Sequence, residues 1–265
     1  MVLFSHLSYA LIKHVDIKNT SCDSDYYSSV SSLKDHCIRL VSPDNQKKQA
    51  EELIFYLHGD YGTGGSSYMS EIASQFAKPN RMNIALIRPG YFDDKGHFST
   101  GNSLGVTSTK IAGRLDNYTR ENVDIIADAI SNLKQHYKSK RVFVVGHSGG
   151  AAIAALILNH YPQLVDKVLL INCPCDLKQW RPDWEQSLSP IEHINNISPK
   201  ATINILSGAA DDVVPPELCK KYAEELNKIN NNTEFFLGIG MKHNLNDEAT
   251  KNMVLQHIRN FLDKH

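Results

Sequence analysis

The chain has 265 residues, 42% of them hydrophobic and 22% charged, and a formal net charge of -1. That length and apolar share suffice for a substantial core in a single domain. The near-neutral balance excludes the basic face that a nucleic-acid partner needs, and no apolar run of about 18 residues is present to span a membrane.

Strand-like and helix-like segments alternate along most of the chain. Residues 16–32 are rich in Ser and Asp and read as irregular, so 1–36 form an N-terminal extension and 37–265 a single domain. Cys37–Val41 reads as an edge strand ahead of the turn at Pro43-Asp44-Asn45. Leu53–Leu57 and Asn83–Ile87 are apolar runs of buried strands, with a helix over Ser67–Ala77 between them. Residues 91–118 form a long excursion. Thr119–Lys138 is helical: Thr119 can cap it with Glu121 in the first turn, and Val123, Ile126, Ala127, Ile130 and Leu133 recur at helix spacing. Arg141–Val145 is a strand, Gly149–Asn159 a helix and Val168–Ile171 a strand. Residues 173–200 are a second excursion with no clear period. Thr202–Leu206 (strand), Pro216–Lys228 (helix), Glu234–Leu237 (strand) and Asp247–Leu262 (helix) complete the chain. Such alternation predicts an α/β fold with a mainly parallel sheet, helices on both faces and a small lid or insert region. Ligands in such sheets bind at the carboxyl ends of the strands.

The five cysteines, Cys22, Cys37, Cys173, Cys175 and Cys219, are odd in number and scattered, which predicts reduced thiols. Cys173-Pro174-Cys175 lacks the paired spacing of a zinc site, and no metal or cofactor is expected. Met1–Ile12 is modestly apolar but has no basic residue before Lys13 and is interrupted by Ser5, His6 and Ser8, a poor match to a signal peptide. Sequons begin at Asn19, Asn117, Asn196 and Asn231 and read as coincidence in a chain this rich in Asn and Ser unless it is secreted; the expected compartment is the cytoplasm, with secretion as the alternative.

Chemistry concentrates at Val142-Phe143-Val144-Val145-Gly146-His147-Ser148-Gly149-Gly150-Ala151-Ala152. An apolar β-branched run enters Gly-x-Ser-x-Gly, and small helical residues follow. This is the pattern of a nucleophile elbow, where a serine is thrust out on a sharp strand-to-helix turn and glycines relieve the crowding. The N–H of Gly149, the residue after the serine, is then available to an oxyanion. A serine needs a base within hydrogen-bond reach. His243 follows the last strand in a Gly-flanked loop, whereas His257 lies inside a helix and His265 ends the chain. His147 adjoins the serine, but the elbow directs it elsewhere, as a packed polar residue.

Four motifs stand in order: His58-Gly59, Gly146-His147-Ser148-Gly149-Gly150, Gly208-Ala209-Ala210-Asp211-Asp212-Val213-Val214-Pro215, and Gly240-Met241-Lys242-His243. In this order and spacing the chain resembles the α/β-hydrolase superfamily from about residue 37 onward. The stretch from Ser189-Pro190-Ile191-Glu192-His193-Ile194 through Pro199 to Val214-Pro215 is similar to the prolyl-oligopeptidase-like branch, which contains peptidases and esterases. The resemblance implies a triad of Ser148, His243 and an acid. The family pattern Gly-x-x-Asp-x-x-Val-Pro selects Asp211, with Asp212 as the alternative and Asp176, after the preceding strand, a remoter one. His58-Gly59-Asp60-Tyr61 resembles the family's His-Gly-x motif, implying a second oxyanion donor at the N–H of Asp60, or of Tyr61. An acid beside an anion hole must turn its carboxylate away. The alternative for Gly59-Asp60-Tyr61-Gly62 is a plain tight turn.

The two excursions leave the edge of the sheet where a pocket should form. Tyr61, Arg88, Tyr91, Trp180 and Trp184 are its candidate lining, with Arg88, Arg114 and Arg181 as candidate receivers of a carboxylate. The tryptophans can equally be the packing of a lid, and the arginines surface ion pairs. There is no HExxH helix, and Gly62-Thr63-Gly64-Gly65-Ser66-Ser67 lacks the ending of a P-loop. The expected activity is hydrolysis of a carboxylic ester, thioester or small amide on a small acyl substrate. A small-peptide peptidase and a non-catalytic ligand-binding protein of the same fold are the alternatives. The sequence leaves the oligomeric state open.

Overall fold

A computed structural model describes residue 22 and residues 24–43, 47–60, 67–91, 93, 97, 99–100 and 116–263. The strands are β1 (Ser29–Ser32), β2 (His36–Val41), β3 (Glu52–Leu57), β4 (Arg81–Leu86), β5 (Arg141–His147), β6 (Lys167–Ile171), β7 (Thr202–Gly208) and β8 (Thr233–Gly238). They form one sheet in the order β1-β2-β4-β3-β5-β6-β7-β8. β2 runs antiparallel to both β1 and β4, and every pairing from β4 across to β8 is parallel.

The period of two along the strands sorts side chains into two cores. Leu53, Phe55 and Leu57 of β3 join Val142 and Val144 of β5 on one face. That face is covered by α2 (Arg120–His136), α3 (Gly149–His160) and α5 (Pro216–Leu226). Ile54, Tyr56, Phe143 and Val145 point to the other, against α1 (Ser67–Ser74) and α6 (Glu248–Asp263). Every residue of α3 except His160 is buried, as its uninterrupted run of small and aliphatic residues demands. Thr119 caps α2, its side chain accepting the Asn122 N–H at 3.3 Å.

Two stretches depart from expectation. β1 lies inside the segment read as irregular, so β2 is not an edge strand. Ser29-Val30-Ser31-Ser32 has one apolar residue, and its order is imposed from outside: Val30 is buried in the core and the Ser32 hydroxyl donates to Ile125 O at 2.7 Å. The second excursion contains a short helix, α4 (Leu177–Trp180), and a 3-10 turn over Pro190–Asn196.

The cysteine expectation is corrected. Cys22 is bonded to Cys37 and Cys173 to Cys175, and Cys219 is free and buried. Antiparallel pairing of β1 with β2 returns the chain on itself and brings Cys22 and Cys37 to a Cα separation of 5.3 Å. Thiol titration of unfolded protein before reduction should then count one reactive cysteine, rising to five after reduction. Five before reduction would show the bridges open. Among the described residues no helix is long and apolar enough to cross a membrane, and no group of three His, Cys, Asp or Glu side chains could hold a metal ion. Of the sequons, Asn117 is buried and Asn19 lies outside the described residues.

Candidate active site

β5 delivers the chain to Ser148, whose backbone sits at φ 53°, ψ -122° before α3 begins. A non-glycine residue held at positive φ costs roughly 1–3 kcal/mol and persists only where neighbours impose it. Here they do. The Ser148 N–H donates to Ile171 O of β6 at 2.8 Å, and its carbonyl accepts from the N–H groups of Ala151 and Ala152 at 2.9 and 3.1 Å. A Cβ on Gly150 would stand 2.2 Å from Leu57 O, and one on Gly146 would stand 2.5 Å from Gly150 O. Both glycines are therefore needed for α3 to start directly over the ends of β3 and β5.

The Ser148 Oγ lies 3.0 Å from His243 Nε2, and His243 Nδ1 lies 2.8 Å from Asp211 Oδ2. The other carboxylate oxygen, Oδ1, accepts the N–H groups of Val213 and Val214, each at 2.8 Å. The Asp211 side chain is wholly buried and that of His243 is 13% exposed. A carboxylate only accepts, so Nδ1 carries the proton and Nε2 is left to accept the serine O–H. Asp212 is exposed. Asp176 caps α4 through Gln179 N at 3.1 Å and pairs with Lys221 at 2.7 Å. Asp211 is thus the acid the fold brings to His243.

One residue of this region had escaped the sequence reading. Asn172, at φ 49° just past β6, donates from Nδ2 to Lys242 O at 3.0 Å and accepts the Gly208 N–H on Oδ1 at 2.9 Å. It joins the end of the acid-bearing strand to the histidine loop. An asparagine directly after a buried strand, where positive φ is tolerated, was the available signal.

The turn after β3 approaches the serine closely: a Cβ on Gly59 would meet the Ser148 Cβ at 2.9 Å. His58 Nε2 accepts the Arg88 N–H at 2.9 Å, so its proton is on Nδ1, which donates to Gly59 O at 2.8 Å. In a trans peptide the carbonyl and the following N–H point in opposite directions. Fixing Gly59 O therefore fixes the direction of the Asp60 N–H. The Asp60 side chain is only 3% exposed although the residue as a whole is half-buried, so what Asp60 presents to solvent is its main chain. Its carboxylate does turn inward. Oδ1 accepts from Arg88 Nη1 at 2.8 Å and from the Tyr91 hydroxyl at 2.9 Å, and Oδ2 accepts from the Tyr118 hydroxyl. Burial opposes the Arg88 charge, but Asp60, Tyr91 and Tyr118 outweigh it and hold the guanidinium above its ordinary value. Burial, reinforced by Asp60, pushes both phenols well above theirs, keeping them as donors.

This cluster revises the proposed pocket lining. Arg88, 2% exposed and committed to Asp60, is not presented to a substrate carboxylate, and the Tyr91 hydroxyl is likewise engaged. Tyr61 and Arg114 lie outside the described residues. Trp184 is buried against Tyr118, ring centroids 5.7 Å apart, and Trp180 meets Trp184 edge-on at 5.7 Å. Trp180 Nε1 also donates to Val213 O at 3.0 Å, fastening the excursion to the acid loop. Arg181 stacks over both indoles, 4.9 and 5.9 Å from their centroids.

Two buried histidines flank the site uncharged. Burial, with Arg88 adding to it, lowers His58 well below its usual value, and burial takes His147 down to about 3. The unfolded chain therefore binds protons that the folded chain refuses, so stability falls as pH drops through about 6.5 toward 4, by up to roughly 1.4 kcal/mol per pH unit for each histidine. Thermal melts across that range should show the decline. A flat profile would contradict the buried neutral rings.

Residues 52–190, more than half of the chain, match a family described as the alpha/beta hydrolase fold. No curated protein sequence matches the chain. Among solved structures, the esterase Pf2001 of Pyrococcus furiosus is similar at 18% identity and a TM-score of 0.65, over 89% of this chain and 90% of that one. The propionate-bound esterase Est2 of Thermogutta terrifontis is 17% identical with a TM-score of 0.60, over 90% and 94% of the two chains. Est1E of Butyrivibrio proteoclasticus, with ferulic acid bound, is 13% identical with a TM-score of 0.60, over 85% and 97%. At these identities the likeness is one of fold. Strand order, elbow and matched segment agree, and the chain belongs to the alpha/beta hydrolase family.

Proposed function

We propose that the protein is a serine hydrolase that cleaves a carboxylic ester, thioester or small amide through an acyl-enzyme. The observation that carries this reading is the continuous chain from Ser148 Oγ through His243 to Asp211, at 3.0 and 2.8 Å. Ser148 attacks the carbonyl carbon while His243 Nε2 takes its proton, and Asp211 holds the ring and stabilises the imidazolium. The N–H groups of Gly149 and Asp60 receive the oxyanion. Gly149 opens α3, whose leading N–H groups have no acceptor within the helix. His243 then protonates the leaving group, and water, activated by the same ring, releases the acid. None of these steps calls for a cofactor.

Three similar structures are named as esterases or carry an aromatic acid, which favours a small acyl ester as the substrate class. The segment 189–215, similar to the prolyl-oligopeptidase-like branch, makes a small-peptide peptidase the second reading. A fluorophosphonate probe should label folded protein at one site, with labelling lost in Ser148→Ala. p-Nitrophenyl esters of graded chain length, run beside aminoacyl p-nitroanilides, separate the two readings. Absence of labelling in folded protein would favour a ligand-binding role instead. Residence in the cytoplasm requires the two disulfides to be open there, whereas secretion, the alternative, would let them persist, since such bridges last in oxidising compartments.

A further inference from the structure

His147 is a buried imidazole one residue before the proposed nucleophile, and the mechanism above does not use it. Its Nε2 lies 3.0 Å from His243 O, and its Nδ1 lies 3.0 Å from the Tyr68 hydroxyl. The same hydroxyl accepts the Gly59 N–H. The direction of every proton in this chain follows from the partners. A carbonyl only accepts, so Nε2 of His147 carries the hydrogen and donates to His243 O. In the neutral ring Nδ1 is then bare and accepts the Tyr68 O–H, leaving the phenol oxygen to accept from Gly59. The result is one unbranched path: Gly59 N–H to Tyr68, Tyr68 O–H to His147 Nδ1, His147 Nε2–H to His243 O.

The ends of that path matter. Gly59 precedes the main-chain N–H assigned to the oxyanion, and its own position is fixed against Ser148. His243 carries the base. The oxyanion turn after β3 and the histidine loop after β8 lie on opposite sides of the nucleophile strand β5, and their distance determines whether one bound carbonyl meets both groups. We propose that Tyr68 and His147 are positioning residues that form a rigid bridge between the oxyanion turn and the histidine loop, setting the separation between the oxyanion donors and the catalytic base. The ring of His147 stands edge-on to Tyr68 at 5.6 Å and tilted against His243 at 5.1 Å, so packing and hydrogen bonds hold the same arrangement. A plain structural role would require only that the pocket be filled. The bridge requires these donors and acceptors in this order.

The proposal rests on the serine-hydrolase reading, and its test separates the two. Tyr68→Phe, His147→Leu, His147→Gln and the double variant Tyr68→Phe/His147→Leu are compared with the wild type on the best p-nitrophenyl ester, beside thermal melts. Misplacing a reacting group in this way should lower kcat about tenfold or more in each of Tyr68→Phe and His147→Leu, with KM changed less than about threefold. Because either variant breaks the same path, the double should be no slower than His147→Leu alone, and His147→Gln, which keeps a donor toward His243 O, should recover most of the loss. Independently of turnover, long-range proton–nitrogen NMR spectra of the wild type should show His147 neutral, protonated on Nε2 and bare on Nδ1. Wild-type activity with unaltered kcat in Tyr68→Phe and His147→Leu would overturn the bridge and leave the serine-hydrolase reading standing. So would multiplicative losses in the double, or a ring protonated on Nδ1. A wild type that neither turns over esters nor takes the fluorophosphonate would overturn both.

Discussion

Ser148→Ala is expected to lower kcat by about 10,000-fold or more while leaving the fold intact. The hydroxyl is the only group lost. The main-chain bonds that hold the elbow, to Ile171, Ala151 and Ala152, do not involve it, and alanine meets the same backbone conformation at the same cost. The residual rate would come from the oxyanion donors and binding alone. His243→Ala should match it, and the double variant should be no worse than either single, because the proposed nucleophile and base would act as one unit. Asp211→Asn should also fall by a factor on the order of 1,000 to 10,000, since an amide can offer an N–H to Nδ1 and stabilise the wrong tautomer. The corresponding change at Asp212, which is exposed, should leave kcat nearly unchanged. Single-turnover and steady-state rates on one ester decide the matter: a Ser148→Ala protein retaining a tenth of the activity would exclude this serine as the nucleophile.

The second large effect concerns the buried ion pair behind the turn after β3, the proposed oxyanion turn. Arg88→Met leaves the Asp60 carboxylate in a cavity with two phenol donors and no cation, and Asp60→Ala leaves the guanidinium without its partner. With both side chains about 97–98% buried, removing either should cost roughly 3–5 kcal/mol. The cost comes from the stranded charge, so replacing both together should cost distinctly less than the sum of the singles. A Cβ on Gly149 would lie within 2.4–2.7 Å of Tyr118, Asp60 and Arg88 atoms, so the cluster is also the floor under Gly149, the first of the two proposed oxyanion donors. Its loss should therefore depress kcat in whatever fraction remains folded. Urea unfolding of the two singles and the double measures the coupling. Single losses below about 1 kcal/mol, or simple additivity, would mean the pair is not a compensating unit.

The pocket lining shows where sequence reading stopped. Arg88 and Tyr91 lie on a segment leaving the carboxyl end of β4, the right edge of the sheet for a substrate contact. Whether such a side chain faces a ligand or the interior depends on its neighbours. Here an inward-turned carboxylate at Asp60 claims both. Likewise His147 was legible as a packed polar residue, but its two partners come from α1 and from the histidine loop, 79 and 96 positions away along the chain. No local pattern encodes such distances.

Local chemistry alone determined much of the rest. Strand and helix segments followed from apolar period and capping, the elbow from glycines flanking a serine after a β-branched run, and the covered parallel sheet from their alternation. These are properties of neighbouring residues, and the backbone expresses them wherever the segment lies. Only the tertiary structure decided which aspartate meets His243, that β1 joins the sheet through a buried valine and a serine bonded to α2, which cysteines lie within bonding distance, and that Arg88 faces Asp60. Each of those is settled by groups far apart in sequence competing for one buried space, where an unpaired charge or a lost hydrogen bond costs more than any local preference can supply.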